Sequence, residues 1–391
     1  MEIAKVKTRF EEIYGGGGQI RCFFSPGRAV LIGEHIDYYG GHIFSFALKQ
    51  GIYCAVRLRS DQTVQVSFEN TEAGRVRGFR LDNPPPLAEM KGDILHPRSV
   101  IQAFLDRGCH IHNGMDILYL GDLPVGAGLA YSSATDAVTS VMLSDLFDFR
   151  DRGGRADAAR ICQEAAILRG GTDGGIMSPL TCVLGRAECA VLLSAPKLQY
   201  EYVPLKLQEA AIVLTNTMKQ YTGFLEEFNA RRIECEKALK KLKVVANIRQ
   251  LCDLSPDTFN SCKDVIMNET YTKRARHAVT ENARTLRAVS AFRVGNLRRF
   301  GELMYQSHDS LRDDYGVSCP ELDYLVEKAK EVPGVLGSRM MGGGFGGCTI
   351  SLMEASAVDS FKAEIAAGYQ DRFGILPEFY LAEAGDGARE L

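Results

Sequence analysis

Residues 121 to 138 read GDLPVGAGLAYSSATDAV, where strand residues run into glycines and small hydroxyl residues and then into a helix. That order ties a sheet edge to a helix N-terminus through backbone with few side chains. Glycine and serine there let N–H groups converge on an anion, and the helix dipole adds a field favourable to phosphate. Gly126, Gly128, Ser132 and Ser133 are the candidate phosphate-binding residues. No lysine follows in the G-x-x-x-x-G-K-S manner, so an ordinary helix start competes with a nucleotide cradle.

The flanking pattern says what this unit sits in. Ile3, Val6, Phe10 and Ile13 recur at helical spacing before the GGGG run at 15–18, which predicts a first amphipathic helix ended by glycine. Next come β-rich stretches, including TVQVSF at 63–68 with its period of two. SATDAVTSVMLSDLF and ADAARICQEAAILRG read as helices, ECAVLLSA and EAAIVLTN as strands. A long helix is expected from about 224 to 245, with Phe228, Cys235, Leu239 and Leu242 on one face. At 391 residues the chain is long enough for two cores, so the expectation is two packed lobes, 1–200 and 201–391.

Two further stretches bear chemistry. SPGRAVLIGEHIDYYGGH places Arg28, Glu34, His35 and Asp37 within ten residues beside an apolar strand, where burying charge is costly. Such a loop suits gripping sugar hydroxyls and steadying a transferring phosphoryl group, or it is an exposed turn. GGGFGG at 342–347, with Gly343, Gly344 and Gly346, marks backbone that approaches a ligand or a neighbouring strand closely.

Composition excludes other classes. With 46 basic and 49 acidic residues, affinity for nucleic acid through phosphate neutralisation is not expected, and basic clusters such as KRARH at 273–277 read as solvated helix faces. No apolar run has membrane-spanning length and the start lacks a secretory pattern, which points to a cytoplasmic chain with no membrane partner. Eleven cysteines in an odd count without a C-x-x-C pair predict buried thiols rather than disulfides or zinc.

Taken in order, PGR…LIGEH.DY.GG, GD.P.GAGL, SHDSLRDDYGVSCPELD and GSRMMGGGFGGCT resemble the galactokinase branch of the GHMP sugar and metabolite kinases over nearly the whole chain. The resemblance implies an α+β, two-lobed GHMP-kinase fold with the active site between the lobes. ATP phosphates would lie on the 126–134 loop with Mg²⁺ as cofactor, and the sugar would be held by Glu34, His35, Asp37 and Gly175. Arg28 matches the catalytic arginine. The implied reaction moves the ATP γ-phosphoryl group to the C1 hydroxyl of galactose or a related hexose.

Four departures from the family pattern stand beside those matches. Ser178 occupies the place of the family's aspartate base, and a serine hydroxyl is no proton acceptor at neutral pH without activation. Ala166 replaces the glutamate that helps hold Mg²⁺, leaving metal to the nucleotide, water and the hydroxyl of Ser132 or Ser133. GLSSSA has become GLAYSSA, one residue longer and carrying Tyr131. Phe228 falls where the family has a tyrosine against the sugar. Asp173 is the candidate substitute base, whereas Glu164, two residues before Ala166 on a helix, should point away. Two readings follow: a sugar kinase with impaired or altered turnover, and a non-catalytic relative that binds sugar or nucleotide and acts through a protein partner.

Overall fold

The computed structural model describes residues 2–149, 154–170, 174–219 and 223–391. Helix α1 (Ile3–Tyr14) buries Val6 and Phe10 and ends at Gly15, whose φ of 77° no β-carbon obstructs. The first half then runs β1 (Arg21–Ile32), β2 (His42–Leu58), β3 (Thr63–Phe68), β4 (Val76–Arg80), α2 (Leu95–Asp106), β5 (Met115–Gly121) and α3 (Tyr131–Leu146). It continues with α4 (Gly154–Leu168), α5 (Met177–Leu184), β6 (Cys189–Ser194) and β7 (Gln199–Pro204).

The second half carries β8 (Ala210–Asn216), α6 (Phe224–Leu242), α7 (Pro256–Cys262), α8 (Glu269–Arg293), α9 (Leu297–Ser310) and α10 (Pro320–Glu331). A hairpin of β9 (Val335–Met340) and β10 (Cys348–Glu354) follows, then α11 (Val358–Phe373), β11 (Glu378–Leu381) and β12 (Arg389–Glu390). Strand and helix fall where the apolar periodicity placed them, because each buries one face: Cys235 and Leu242 on α6 are fully buried, as their shared stripe requires.

Two sheets result. The larger runs β12-β1-β2-β5-β3-β4, with β6 on β2 and β7 on β6, and only the β3–β5 pair is parallel. The smaller is antiparallel, β11-β8-β10-β9. One apolar core joins both sheets, with Val30, Ile32 and Phe44 from the larger packed in the same cluster as Ile212, Leu214, Ile350 and Leu352 from the smaller. The chain's end returns to the first sheet, where Phe23 faces Glu390 and Arg21 grips the Glu390 carboxylate at 2.7 and 2.8 Å. Nine of the eleven cysteines are buried free thiols. Among the described residues no helix is long and apolar enough to cross a membrane.

Candidate active site

The site begins at an irregularity in β1. Its register with β2 shifts between Pro26 and Arg28, and at Gly27 an added β-carbon would stand 2.5 Å from Leu123 Cδ1 and 2.7 Å from the Leu129 carbonyl oxygen. Only glycine lets the 121–130 loop close onto the strand there. The Arg28 N–H donates to that Leu129 oxygen at 3.1 Å, while the guanidinium reaches the Gly128 oxygen from Nη1 at 2.5 Å and Ser178 Oγ from Nε at 3.1 Å. Beyond Gly126, Gly128 and Ala130, all at positive φ, α3 starts at Tyr131 with no side chain capping it. A cavity of about 400 Å³ opens over this helix end, walled by Arg28, Gly128, Ser132, Ser133, Ser178 and Lys219.

A second cavity, of about 180 Å³, adjoins it through Arg28, Ser178 and Gly343. Its wall is the loop after β1, held from beneath by α8. The Gly33 N–H donates to Glu281 at 3.1 Å, and His277 Nε2 lies 3.2 Å from the Glu34 carbonyl oxygen. The Glu34 carboxylate is bridged at 3.1 Å by Arg339, itself fully buried and donating to the Val30 oxygen at 3.0 Å. His35 sits at φ 60°, its Nδ1 2.6 Å from the Tyr38 hydroxyl, and burial pushes its imidazole down to about 3, so it stands uncharged in the cavity wall.

Asp37 links this loop to the next segment, accepting the Met177 N–H at 3.3 Å. At Gly175, with φ +84°, a β-carbon would lie 1.9 Å from Asp37 Oδ2. Gly175 therefore serves by letting Asp37 in, while Gly174 forms the cavity wall. Phe228 of α6 closes the far side, its ring 5.8 Å from that of His35 and edge-on to Tyr38 at 5.7 Å. In GGGFGG, Gly343 lines both cavities, Gly344 and Gly346 line the larger, and Gly344 also lies under the Val317 carbonyl. The packing reading of that motif thus holds at Gly344, and the motif also borders both cavities.

Several expectations land elsewhere. Ala166 is half-buried on α4 and belongs to neither wall, and Glu164 points away into a pair with Arg107 at 2.7 Å. Tyr131 both lines the larger cavity and packs into the core, where burial raises its phenol well above the ordinary value. Asp173 lies outside the described residues. The KRARH stretch is not a solvated face: His277 is fully buried under the Glu34 loop, and Arg274 pairs with Glu234 at 2.7 Å, because this part of α8 packs against the loop and α6. Arg339 and Glu281, ordinary charged residues on β9 and α8, and Lys219, in the segment after β8, carry no functional signal in the sequence beyond the place of Arg339 next to the glycine motif.

The donor set does not suit a protein-held Mg²⁺. Described residues around the larger cavity offer the hydroxyls of Ser132, Ser133 and Ser178 but no carboxylate, and no cluster of three or more metal-ligating side chains occurs among the described residues. The wall instead carries Arg28 and a Lys219 that is paired with Glu321 at 2.7 Å.

Known proteins share this fold and much of this sequence. The galactokinase galactose-binding signature matches residues 8–58, and the N-terminal and C-terminal GHMP-kinase domains match 96–186 and 288–371. A galactokinase of Fusobacterium nucleatum is 42% identical over 98% of both chains, and one of Bacillus subtilis 39% over 99% of this chain and 98% of its own. The crystal structure of Lactococcus lactis galactokinase complexed with galactose superposes with a TM-score of 0.94 at 36% identity over all of both chains. Methanococcus jannaschii mevalonate kinase, at 16% identity and a TM-score of 0.63, covers 95% of this chain and 99% of its own and shares the fold alone. A galactose-binding signature lying on the Arg28–Asp37 loop, with full-length identity near two residues in five, makes this chain a member of the galactokinase family of GHMP kinases.

Proposed function

We propose that this chain transfers the γ-phosphoryl group of ATP to the C1 hydroxyl of galactose or a close relative, with the sugar in the 180 Å³ cavity and the polyphosphate in the 400 Å³ cavity. The observation that carries the reading is Arg28, which forms part of both walls and lies where a group passing between them must travel. Phosphoryl transfer asks for alignment and neutralisation of charge more than for proton abstraction, since its transition state is largely dissociative. Arg28 supplies that charge. Glu34, His35 and Asp37 orient the sugar, and Ser178 Oγ holds the attacking hydroxyl. The hydroxyl proton leaves late, onto the phosphoryl oxygens, as the new O–P bond forms and the bond to ADP breaks.

Without a carboxylate base this chemistry should run about 10²–10⁴-fold below that of a site with one. The lack of a carboxylate among the described residues of the larger cavity also favours a second reading, a family member that binds sugar or nucleotide without turnover. We further propose the division into lobes 1–200 and 201–391, with β12 handed back to the first. Coupled ADP release over a panel of hexoses tests the first reading: galactose-dependent turnover is expected, lost by at least roughly 100-fold in Arg28→Ala. No turnover with galactose still bound would leave the second.

A further inference from the structure

We infer that the junction of the two cavities is built to hold a phosphate monoester, the anomeric phosphate of a hexose 1-phosphate, without a divalent metal, so that phosphorylated sugar binds more tightly than free sugar. The sugar half of this inference rests on the galactose reading above; the phosphate half rests on charge.

Arg28 is 6% exposed, yet its guanidinium bonds only neutral groups, Ser178 Oγ and the Gly128 oxygen, and its Nη2 makes no hydrogen bond to any described residue. The buried arginines behind the sugar loop differ: Arg339 has Glu34 and Arg284 has Glu281. A buried cation without a counter-charge is costly, and a ligand anion relieves that cost. The space beside Arg28 adds the uncapped N-terminus of the 16-residue α3, favourable to an anion, whereas Lys219 on the same wall is already paired with Glu321 at 2.7 Å.

The carboxylates stand on the other side. Glu34 and Asp37 line only the smaller cavity, where Glu34 is tied to Arg339 and Asp37 to the Met177 N–H. Charge is thus divided along the path between the cavities, hydroxyl-binding acids at one end and, at the other, a cation with no carboxylate partner among the described residues. A neutral ring bearing one dianionic arm matches that division. A carboxylate at 178, 3.1 Å from Arg28, would neutralise the guanidinium and repel the phosphate, whereas Ser178 leaves the charge free and adds a donor. The product of the proposed reaction is the ligand that this junction fits, and it should leave slowly.

Calorimetry on the full chain in EDTA tests this with galactose, galactose 1-phosphate, inorganic phosphate and ADP. Galactose 1-phosphate should bind at least about tenfold more tightly than galactose, unchanged when Mg²⁺ is supplied. Ser178→Ala should keep that preference, and in Ser178→Asp, whichever way galactose affinity itself moves, galactose 1-phosphate should bind no more tightly than galactose. Equal affinities, a preference that needs Mg²⁺, or an unaffected Ser178→Asp protein would overturn the inference and leave the galactose reading standing. Inorganic phosphate or ADP binding as tightly as the sugar phosphate would overturn the assignment of the anion. Failure of both sugars to bind would take the galactose reading with it.

Discussion

The Glu34–Arg339 pair gives the sharpest test of how the sugar loop is held. Both side chains are buried, at 2% and 0% exposure, with Nη2 3.1 Å from the carboxylate and Nη1 bonded to Val30. At an effective dielectric of about 20 the direct attraction is about 5 kcal/mol, most of it offset by desolvation. Removing one partner strands the other. Arg339→Met should therefore destabilise the chain by about 3–5 kcal/mol, whereas Glu34→Gln with Arg339→Met should regain at least about 2 kcal/mol, because no buried charge then remains alone. With no tryptophan in the sequence, urea unfolding is best followed by far-UV circular dichroism. Single and double effects that add to within about 0.5 kcal/mol would refute the coupling and with it the claim that Arg339 sets the Glu34 carboxylate.

Two more outcomes follow from the same loop. Burial pushes His35 and His277 down to about 3 and about 4, against about 6.5 when unfolded. The unfolded chain thus binds protons that the folded chain refuses, so these two groups cost nothing above pH about 6.5 and remove stability as pH falls below it, each by up to about 1.4 kcal/mol per unit. His277→Gln should flatten the measured slope between pH 6 and 5; an unchanged slope would place the titration elsewhere. Phe228→Tyr returns a hydroxyl to the wall of the sugar cavity and should tighten galactose by roughly fivefold, about one hydrogen bond; weaker binding would mean that the ring packs too tightly against His35 and Tyr38 to admit it.

Local sequence determined a good deal. Glycine–serine loops, the Arg28–Asp37 turn and GGGFGG are contiguous, and each declares its chemistry through residue type and spacing, so Arg28, Glu34, His35, Asp37, Ser132 and Gly343 were legible before any fold was known. Helices and strands were legible because burial of one face imposes a period. What only the tertiary structure decided is who compensates whom. Arg339 meets Glu34 across 305 residues and Glu281 reaches Gly33 across 248, by virtue of where β9 and α8 pack. Nothing in the neighbourhood of either residue announces the pairing, since an ion pair depends on distance in space and a motif on distance along the chain. The same limit applies to Arg28. Its sequence shows a missing aspartate, but only the packing of Gly128 and Ser178 around it reveals a buried cation that meets neutral groups alone among the described residues.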